Sequence, residues 1–461
     1  MDFFGRQQEL GLMNELYSRG GGILVITGRR RVGKTAMVRQ FIQDKPSIYL
    51  FVDAHKKIDL LLKEFTSEIV RTLHLPSYVH FSTSTEIIRF LLSYKQPIVV
   101  VFDEFQRFYQ TYPAFYSELQ NAWDTRDKDC KTMLILTGSS IGMMERVFMD
   151  GGAPLFKRAD TILRLKPFRP NEIFSVMQQM SVPNFEEKIN LYFLFGGMIH
   201  YYQIAERFSC FTWNDVLQRL IFSEYAPLRS EPAEIMVEEF GGAHATYYEI
   251  LAAIAEGKHT AKEISDFAAI AQTSVWHYLD QIIRLLGIIE YRAPVTENRT
   301  SSKKGRYVLI DHFLKFYARY VYRFMSLYES GQYAWLSDHT RKDWASYCGH
   351  AFEDLIREMI SILAPDTWLS IGSWWDRRGN EIDLVAIGPS GSLLIECKHR
   401  MVPMNEASEI LARLTILGEQ IPGLIHPFRI GIAAEKIEGR EKFTKSGHII
   451  IEYQDLEAIL S

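Results

Sequence analysis

Eight residues, Gly28-Arg29-Arg30-Arg31-Val32-Gly33-Lys34-Thr35, follow the apolar run that starts at Ile23 and precede an amphipathic stretch that opens at Ala36. A strand before, a helix after, and Gly-x4-Gly-Lys-Thr between them are the chemistry of a phosphate cradle. Glycines let successive backbone N–H groups wrap an anion, and the helix N-terminus adds partial positive charge beneath it. Lys34 is expected at the β- and γ-phosphates of ATP and the Thr35 hydroxyl on Mg²⁺. The plain alternative, a glycine-containing strand–helix turn, does not account for both flanks and the Lys-Thr pair. A second apolar run, from Pro97, ends in Asp103-Glu104. There Asp103 can hold Mg²⁺ through water, and Glu104 can orient or deprotonate an attacking water. A third run ends in Thr137-Gly138-Ser139-Ser140, where Ser139 or Ser140 presents a hydroxyl toward the γ-phosphate.

A second group of acids stands far along the chain, in Glu381-Ile382-Asp383 and Glu396-Cys397-Lys398. Side chains alternate faces along a strand, so Glu381 shares a face with Asp383, and Glu396 shares one with Lys398. A hairpin symmetric about Gly388-Pro389-Ser390-Gly391 sets Asp383 opposite Glu396 and Glu381 opposite Lys398. Opposed carboxylates are unfavourable without compensation. A divalent cation on Asp383 and Glu396 supplies it, with Glu353 completing the metal site from a preceding helix and Lys398 polarising a water that attacks a phosphodiester. The alternative is a hairpin with solvated charges. His399, Arg377 and Arg378 read equally as phosphate contacts or as ordinary surface charge, and Cys397 as core.

These groups need elements to position them. In the first part of the chain, strands from Ile23, Ser47, Pro97, Thr132 and Asp160 alternate with amphipathic stretches such as LLLKEFTSEIVRTL. That alternation predicts a parallel sheet covered on both faces. Residues 169–240 read as a helical lid. Residues 241–310 read as a winged helix of three helices and a hairpin, with Thr260-x-x-Glu263 as a capping box and Gly287 as a helix stop. The wing, 292–306, holds Arg292, Arg299, Lys303, Lys304 and Arg306 against Glu297. Phosphate contact and a solvated flexible tip both fit it. Ser274, Trp276, His277 and Arg284 on the third helix are poor equipment for reading bases. Phe313, Phe316, Tyr317 and Tyr320 recur at helical spacing and read as core. The last part follows an α-β-β-β-α-β order. The expected domains are 1–168, 169–240, 241–335 and 336–461.

The segments FFGRQQEL, GRRRVGKT, VVFDEFQ, LTGSSIGMME, APLFKRAD and LKPF together resemble the archaeal-type P-loop ATPase family of the AAA+/STAND group. The resemblance implies an α/β fold with AAA+-like strand order, ATP and Mg²⁺ as cofactors, and Gly5 and Arg6 beside the adenine. It implies a sensor-1 role for the serine after the fourth strand. It places Arg158 where relatives carry an arginine finger for a neighbour's nucleotide, against the alternative of a structural ion pair. A homo-oligomer is the assembly that such a finger requires. The family's Gly-Gly-x-Pro run is here Gly196-Gly197-Met198-Ile199, which departs at Ile199 and puts nucleotide sensing by the lid in doubt. The C-terminal order resembles the PD-(D/E)xK nuclease-like domain that commonly ends such chains.

Composition narrows the classes. The chain has 461 residues, 47% hydrophobic and 23% charged, which is globular and neither disordered nor fibrous. A net charge of −4 excludes a polycation that coats nucleic acid. It divides into 0 for residues 1–240, +2 for 241–335 and −6 for 336–461. The acidic last module argues against tight DNA binding by that module alone. Cys130, Cys210, Cys348 and Cys397 are scattered without metal or disulfide spacing. The polar N-terminus and the short apolar runs predict a protein of the cytoplasm without a membrane partner. The expected function is a Mg²⁺-dependent ATPase whose nucleotide state controls a DNA-binding winged helix and a nuclease-like domain. The alternative is a non-cleaving STAND-like switch that uses the last domain only to bind a partner.

Overall fold

A computed structural model describes residues 3–240, 244–364 and 367–460. The described chain divides into two compact units: residues 1–167 with 284–287, and residues 168–283 with 288–461. The first unit is built on five parallel strands: β1 (Gly22–Thr27), β2 (Ser47–Phe51), β3 (Ile98–Asp103), β4 (Thr132–Gly138) and β5 (Thr161–Arg164). Their order is β2-β3-β4-β1-β5. Every residue of β1, β3 and β4 is buried, which is why these strands read as unbroken Val/Ile/Leu runs instead of alternating ones. Because β3, β4 and β1 are adjacent and parallel, the segments after them emerge side by side at one sheet edge. That edge is where an open α/β sheet places its ligand.

In the second unit, three helices (His244–Ala255, Ala261–Phe267, Gln272–Gln281) precede the antiparallel hairpin β6 (Ile289–Arg292) and β7 (Arg306–Leu309). The Thr260 capping box forms: its hydroxyl accepts from Glu263 N at 3.2 Å, and Glu263 accepts from Thr260 N at 2.9 Å. The expected boundary between 335 and 336 falls inside one continuous helix, Tyr333–Leu363. Nothing in its local sequence breaks the helical hydrogen-bond ladder there, so the middle and last modules share a rigid element.

The C-terminal sheet has the order β12-β11-β10-β9-β8. β8 (Ser370–Trp375), β9 (Glu381–Gly388) and β10 (Gly391–Val402) form an antiparallel meander. The helix Met404–Gly418 then crosses over to β11 (Phe428–Ile437), which lies parallel to β10. The short strand β12 (Ile449–Ile451) and the helix Tyr453–Leu460 extend the module beyond the predicted order. Phe313, Phe316, Tyr317 and Tyr320 are buried, as their spacing predicts.

Wing chemistry differs from both sequence readings, a phosphate-binding tip and a solvated flexible one. Arg292 pairs with Asp354 at 2.8 Å and with Glu290 at 3.1 Å. Lys304 pairs with Glu297, and Arg306 pairs with Glu381 at 2.7 Å while lying 4.4 Å from the Trp375 ring centroid. Among the described residues, Arg299 and Lys303 are the wing cations without an ion pair. The cause is docking: Val295 N donates to Ser373 O at 2.9 Å on edge strand β8, and Trp375 Nε1 donates to Lys304 O at 2.9 Å.

The Gly196-Gly197 pair is a packing requirement. Gly196 has φ +56° with the His312 ring against it, and a Cβ on Gly197 would stand 2.0 Å from Phe168 O. Gly197→Ala should therefore lower unfolding stability by about 2 kcal/mol or more, read as a drop in urea midpoint at unchanged m-value. An unchanged midpoint would refute this packing account.

Candidate functional site

The phosphate loop runs from the end of β1 to the helix Lys34–Ile42. Gly33 takes φ +99° and Arg31 φ +64°, so two residues of the loop have positive φ. Gly28 is needed for another reason as well: a Cβ there would lie 2.5 Å from Leu165 O. Lys34 is buried, and its Nζ donates to Gly28 O at 2.7 Å and Arg29 O at 3.0 Å, so the ammonium sits within the concavity of its own loop. Arg6, with φ +61°, donates to Val32 O at 3.3 Å and Lys166 O at 2.7 Å and pairs with Glu9 at 3.2 Å. Its guanidinium thus braces the loop against the segment after β5, where the resemblance had implied only a place beside the adenine.

Asp103 is buried at the end of β3. Its Oδ2 accepts from Thr35 Oγ1 at 3.3 Å and from the Tyr49 hydroxyl, and its Oδ1 accepts from Glu104 N at 3.0 Å and from the Thr137 hydroxyl. Burial, and then the Asp103 charge, push the Tyr49 phenol up, so it stays protonated and remains a donor. Tyr49 and Thr137 escape motif reading because their role follows from strand order: β2 and β4 flank β3. Glu104 adopts φ 57°, ψ 41°, a left-handed conformation that is costly for a residue with a Cβ and recurs at functional sites. Its Oε2 accepts from Ser139 Oγ at 2.9 Å and Gln106 Nε2 at 2.5 Å. Of the two serines considered, Ser139 is the one that meets Glu104. Val32 and Ala36 flank the loop glycine and lysine without polar side chains of their own. The hydroxyl of Thr35 beside the Asp103 carboxylate is a donor set that fits Mg²⁺.

Arg158 is occupied within its own domain. Its Nη2 pairs with Asp124 at 3.0 Å and its Nη1 donates to Phe156 O at 2.8 Å. This is the ion-pair alternative weighed above.

In the C-terminal module the hairpin register runs from Gly391↔Gly388 to Ile395↔Leu384, the symmetry the turn predicts. The backbone ladder ends one step before Asp383 and Glu396. There the Asp383 carboxylate replaces a backbone acceptor and takes the Cys397 N–H at 2.8 Å. Glu396 is buried; its Oε1 meets Lys398 Nζ at 2.8 Å and Arg413 Nη2 at 2.5 Å, while its Oε2 is buried with no hydrogen-bond partner. Burial and then the Asp383 charge push the Glu353 carboxyl up, and burial and then the Glu396 charge push Asp383 up. The acids are therefore neighbours, but among the described residues no group of three or more His, Cys, Asp or Glu has the spacing to hold a metal ion. The expected triad of Glu353, Asp383 and Glu396 is not assembled as a ligand set, because Glu396 is turned onto two cations and Asp383 onto a backbone N–H. These residues fit a divalent cation only in part. Glu381 faces Arg306 of the wing instead of Lys398. His399 is no phosphate contact: its Nε2 lies 2.6 Å from the Tyr453 hydroxyl, and burial holds the ring down at about 4. Cys397 is buried, as expected.

A cavity of about 390 Å³ lies beside the wing, between β8 and the helix Tyr333–Leu363. Its main charges answer one another, since Asp354 accepts from both Arg292 and Arg357. Glu358 also lines it, and burial followed by the Asp354 charge pushes that carboxyl up to about 7.

Comparisons with known proteins agree with the nucleotide site. Residues 3–201 match a family model described as an ATPase domain predominantly from Archaea. Residues 317–410 match one described as archaeal and bacterial proteins of unknown function. An uncharacterized protein of Methanocaldococcus jannaschii is 29% identical over 447 residues, covering 95% of this chain and 97% of that one. Among solved structures, a Walker-type ATPase of Pyrococcus abyssi aligns with a TM-score of 0.55 at 20% identity, covering 69% of this chain and 96% of its own. The ORC2 protein of Aeropyrum pernix aligns at 0.48 and 14% identity, over 73% and 97%. At 20% identity the likeness to the Pyrococcus abyssi protein speaks to the fold alone. Among the described residues no helix is long and apolar enough to cross a membrane.

Glu358 yields a pH prediction. A carboxyl raised in the folded state keeps its proton after the unfolded chain has lost it. Its burial therefore lowers stability progressively as pH rises from the ordinary glutamate value, near 4.5, to about 7. Glu358→Gln should accordingly raise the melting temperature at pH 7.5 more than at pH 5. An equal shift at both would remove the titration account.

Proposed function

We propose, for a chain whose residues 3–201 match a family model of archaeal ATPase domains, that the protein is a Mg²⁺-dependent ATPase whose nucleotide state controls how a winged helix and a nuclease-like module engage nucleic acid. One observation carries the ATPase reading: Thr35, Asp103, Glu104 and Ser139 converge at the same sheet edge, directly after the phosphate loop. Mg²⁺, held by Thr35 and Asp103, would neutralise phosphate charge there. Lys34 would exchange its two loop carbonyls for phosphate oxygens. Glu104 would accept the proton of the attacking water as the new oxygen–phosphorus bond forms and the bridging oxygen leaves with its electron pair on ADP. Arg158 is assigned to its ion pair with Asp124 and not to a neighbour's nucleotide.

Lys34→Ala should abolish ATP binding, measured with a fluorescent nucleotide. Glu104→Gln should retain binding and lose turnover by at least about 100-fold. Undiminished hydrolysis in both variants would overturn the assignment.

For the C-terminal module a second reading has a specific observation in its favour. Glu396 is neutralised internally by Lys398 and Arg413, and the three acids are not set as metal ligands. We therefore favour a nuclease-like module that binds a partner over one that cuts. Titrating Mg²⁺ or Mn²⁺ into the wild type and Glu396→Ala should give the same heat. Wild-type cleavage of single-stranded, duplex or branched DNA that Lys398→Ala abolishes would reinstate the nuclease.

A further inference from the structure

Gln106 closes the VVFDEFQ segment without a role of its own in the sequence reading, yet it touches the centre of the nucleotide site. It is 7% exposed. The one-turn helix Phe105–Arg107 follows Glu104 at once and folds residue 106 back beside it. Gln106 Nε2 donates to Glu104 Oε2 at 2.5 Å and lies 3.4 Å from Ser139 Oγ. Ser139 Oγ donates to that same oxygen at 2.9 Å. Arg107 Nε is also nearest to Oε2, at 3.8 Å. Among the described residues no hydrogen bond reaches Glu104 Oε1.

The surroundings keep this amide in place. A Cβ at position 138 would stand 2.5 Å from Gln106 Oε1, so the glycine at the end of β4 is what admits the side chain. The Tyr116 hydroxyl donates to Gln106 O at 3.1 Å and Phe105 O at 3.3 Å, fixing the turn from behind. Gln106 Oε1 is buried without a hydrogen-bond partner. A buried acceptor left unanswered is unfavourable and asks for a reason. Aiming the amide N–H at Glu104 supplies one.

We propose that Gln106 is a positioning residue for ATP hydrolysis. Together with Ser139 it saturates Oε2 of Glu104 and reserves Oε1 as the atom that receives the proton. This rests on the reading of Glu104 as the base. The water oxygen bonds to the γ-phosphorus, the bridging phosphorus–oxygen bond breaks with its electron pair passing to ADP, and the water's proton goes to Oε1. A neutral donor suits the task. An amide orients the carboxylate, whereas a cation at the same distance would lower its basicity.

The test uses the full chain and steady-state ATP turnover across pH, with fluorescent-nucleotide binding measured alongside. Gln106→Ala should lower kcat about 10- to 100-fold while KM and nucleotide affinity stay within about twofold. Gln106→Glu, nearly isosteric, keeps the shape of the side chain but replaces the amide donor with an acceptor, and should lower kcat by a similar factor at unchanged KM and nucleotide affinity. A merely structural role would leave this isosteric variant with full kcat. If Gln106→Ala proves unstable, the Glu variant decides alone. An unchanged kcat in either variant overturns the proposal. Full turnover in Glu104→Gln would show instead that the base assignment itself is wrong.

Discussion

A carboxylate taken out of water must have its oxygens answered, and Asp103 has three hydroxyls to do so. Thr35, Tyr49 and Thr137 come from the segment after β1, from β2 and from β4, and they meet only because β3 runs between β2 and β4. Neutral donors leave the carboxylate its charge and therefore its use. A lysine or arginine in their place would have satisfied the same oxygens and cancelled the charge a cation needs. The strand order of the first unit, the placement of the phosphate loop and the position of Glu104 all converge on this buried acid.

The two units treat their acids differently. In the nucleotide site, hydroxyls, a backbone N–H and an amide make the hydrogen bonds to Asp103 and Glu104, and the Arg107 guanidinium stands off Glu104 at 3.8 Å. In the second unit, arginines and a lysine surround Asp354 and Glu396. Asp354, between Arg292 and Arg357, ties the wing to the long helix. Glu396, between Lys398 and Arg413, closes the sheet face on which a metal was expected. Paired charges of this kind build structure. Acids answered by neutral donors stay available for chemistry. That contrast underlies the proposal of an active centre in the first unit and of a partner-binding face in the second.

Docking of the wing follows the same logic. A hairpin tip with five cations reads equally as a phosphate-binding surface or a solvated tip when the sequence is taken alone, and Arg292 and Arg306 are turned onto Asp354 and Glu381. The +2 of the middle residues and the −6 of the last module are in part each other's counter-charge. Nucleic acid approaching the wing would compete with carboxylates already seated there.

Local pattern determined much of this protein. Gly-x4-Gly-Lys-Thr between a strand and a helix, the Asp-Glu pair after an apolar run, the Thr260 capping box and the hairpin register about Gly388–Gly391 all depend on residues close in the chain, and each was legible. The boundary between the middle and last modules was not, because the helix Tyr333–Leu363 crosses it without a local signal. Tertiary structure alone decided which donors answer each acid: Tyr49, Thr137 and Gln106 in the first unit, Arg306 and Arg413 in the second. Those partners are set by strand order, by a turn in left-handed backbone at Glu104, and by the docking of a hairpin on a distant edge strand. Apart from Gln106, which reaches Glu104 across that turn, these contacts join residues more than fifteen positions apart. Their periodicity records only that each side chain lies on a buried or half-buried face, not which group it will meet there.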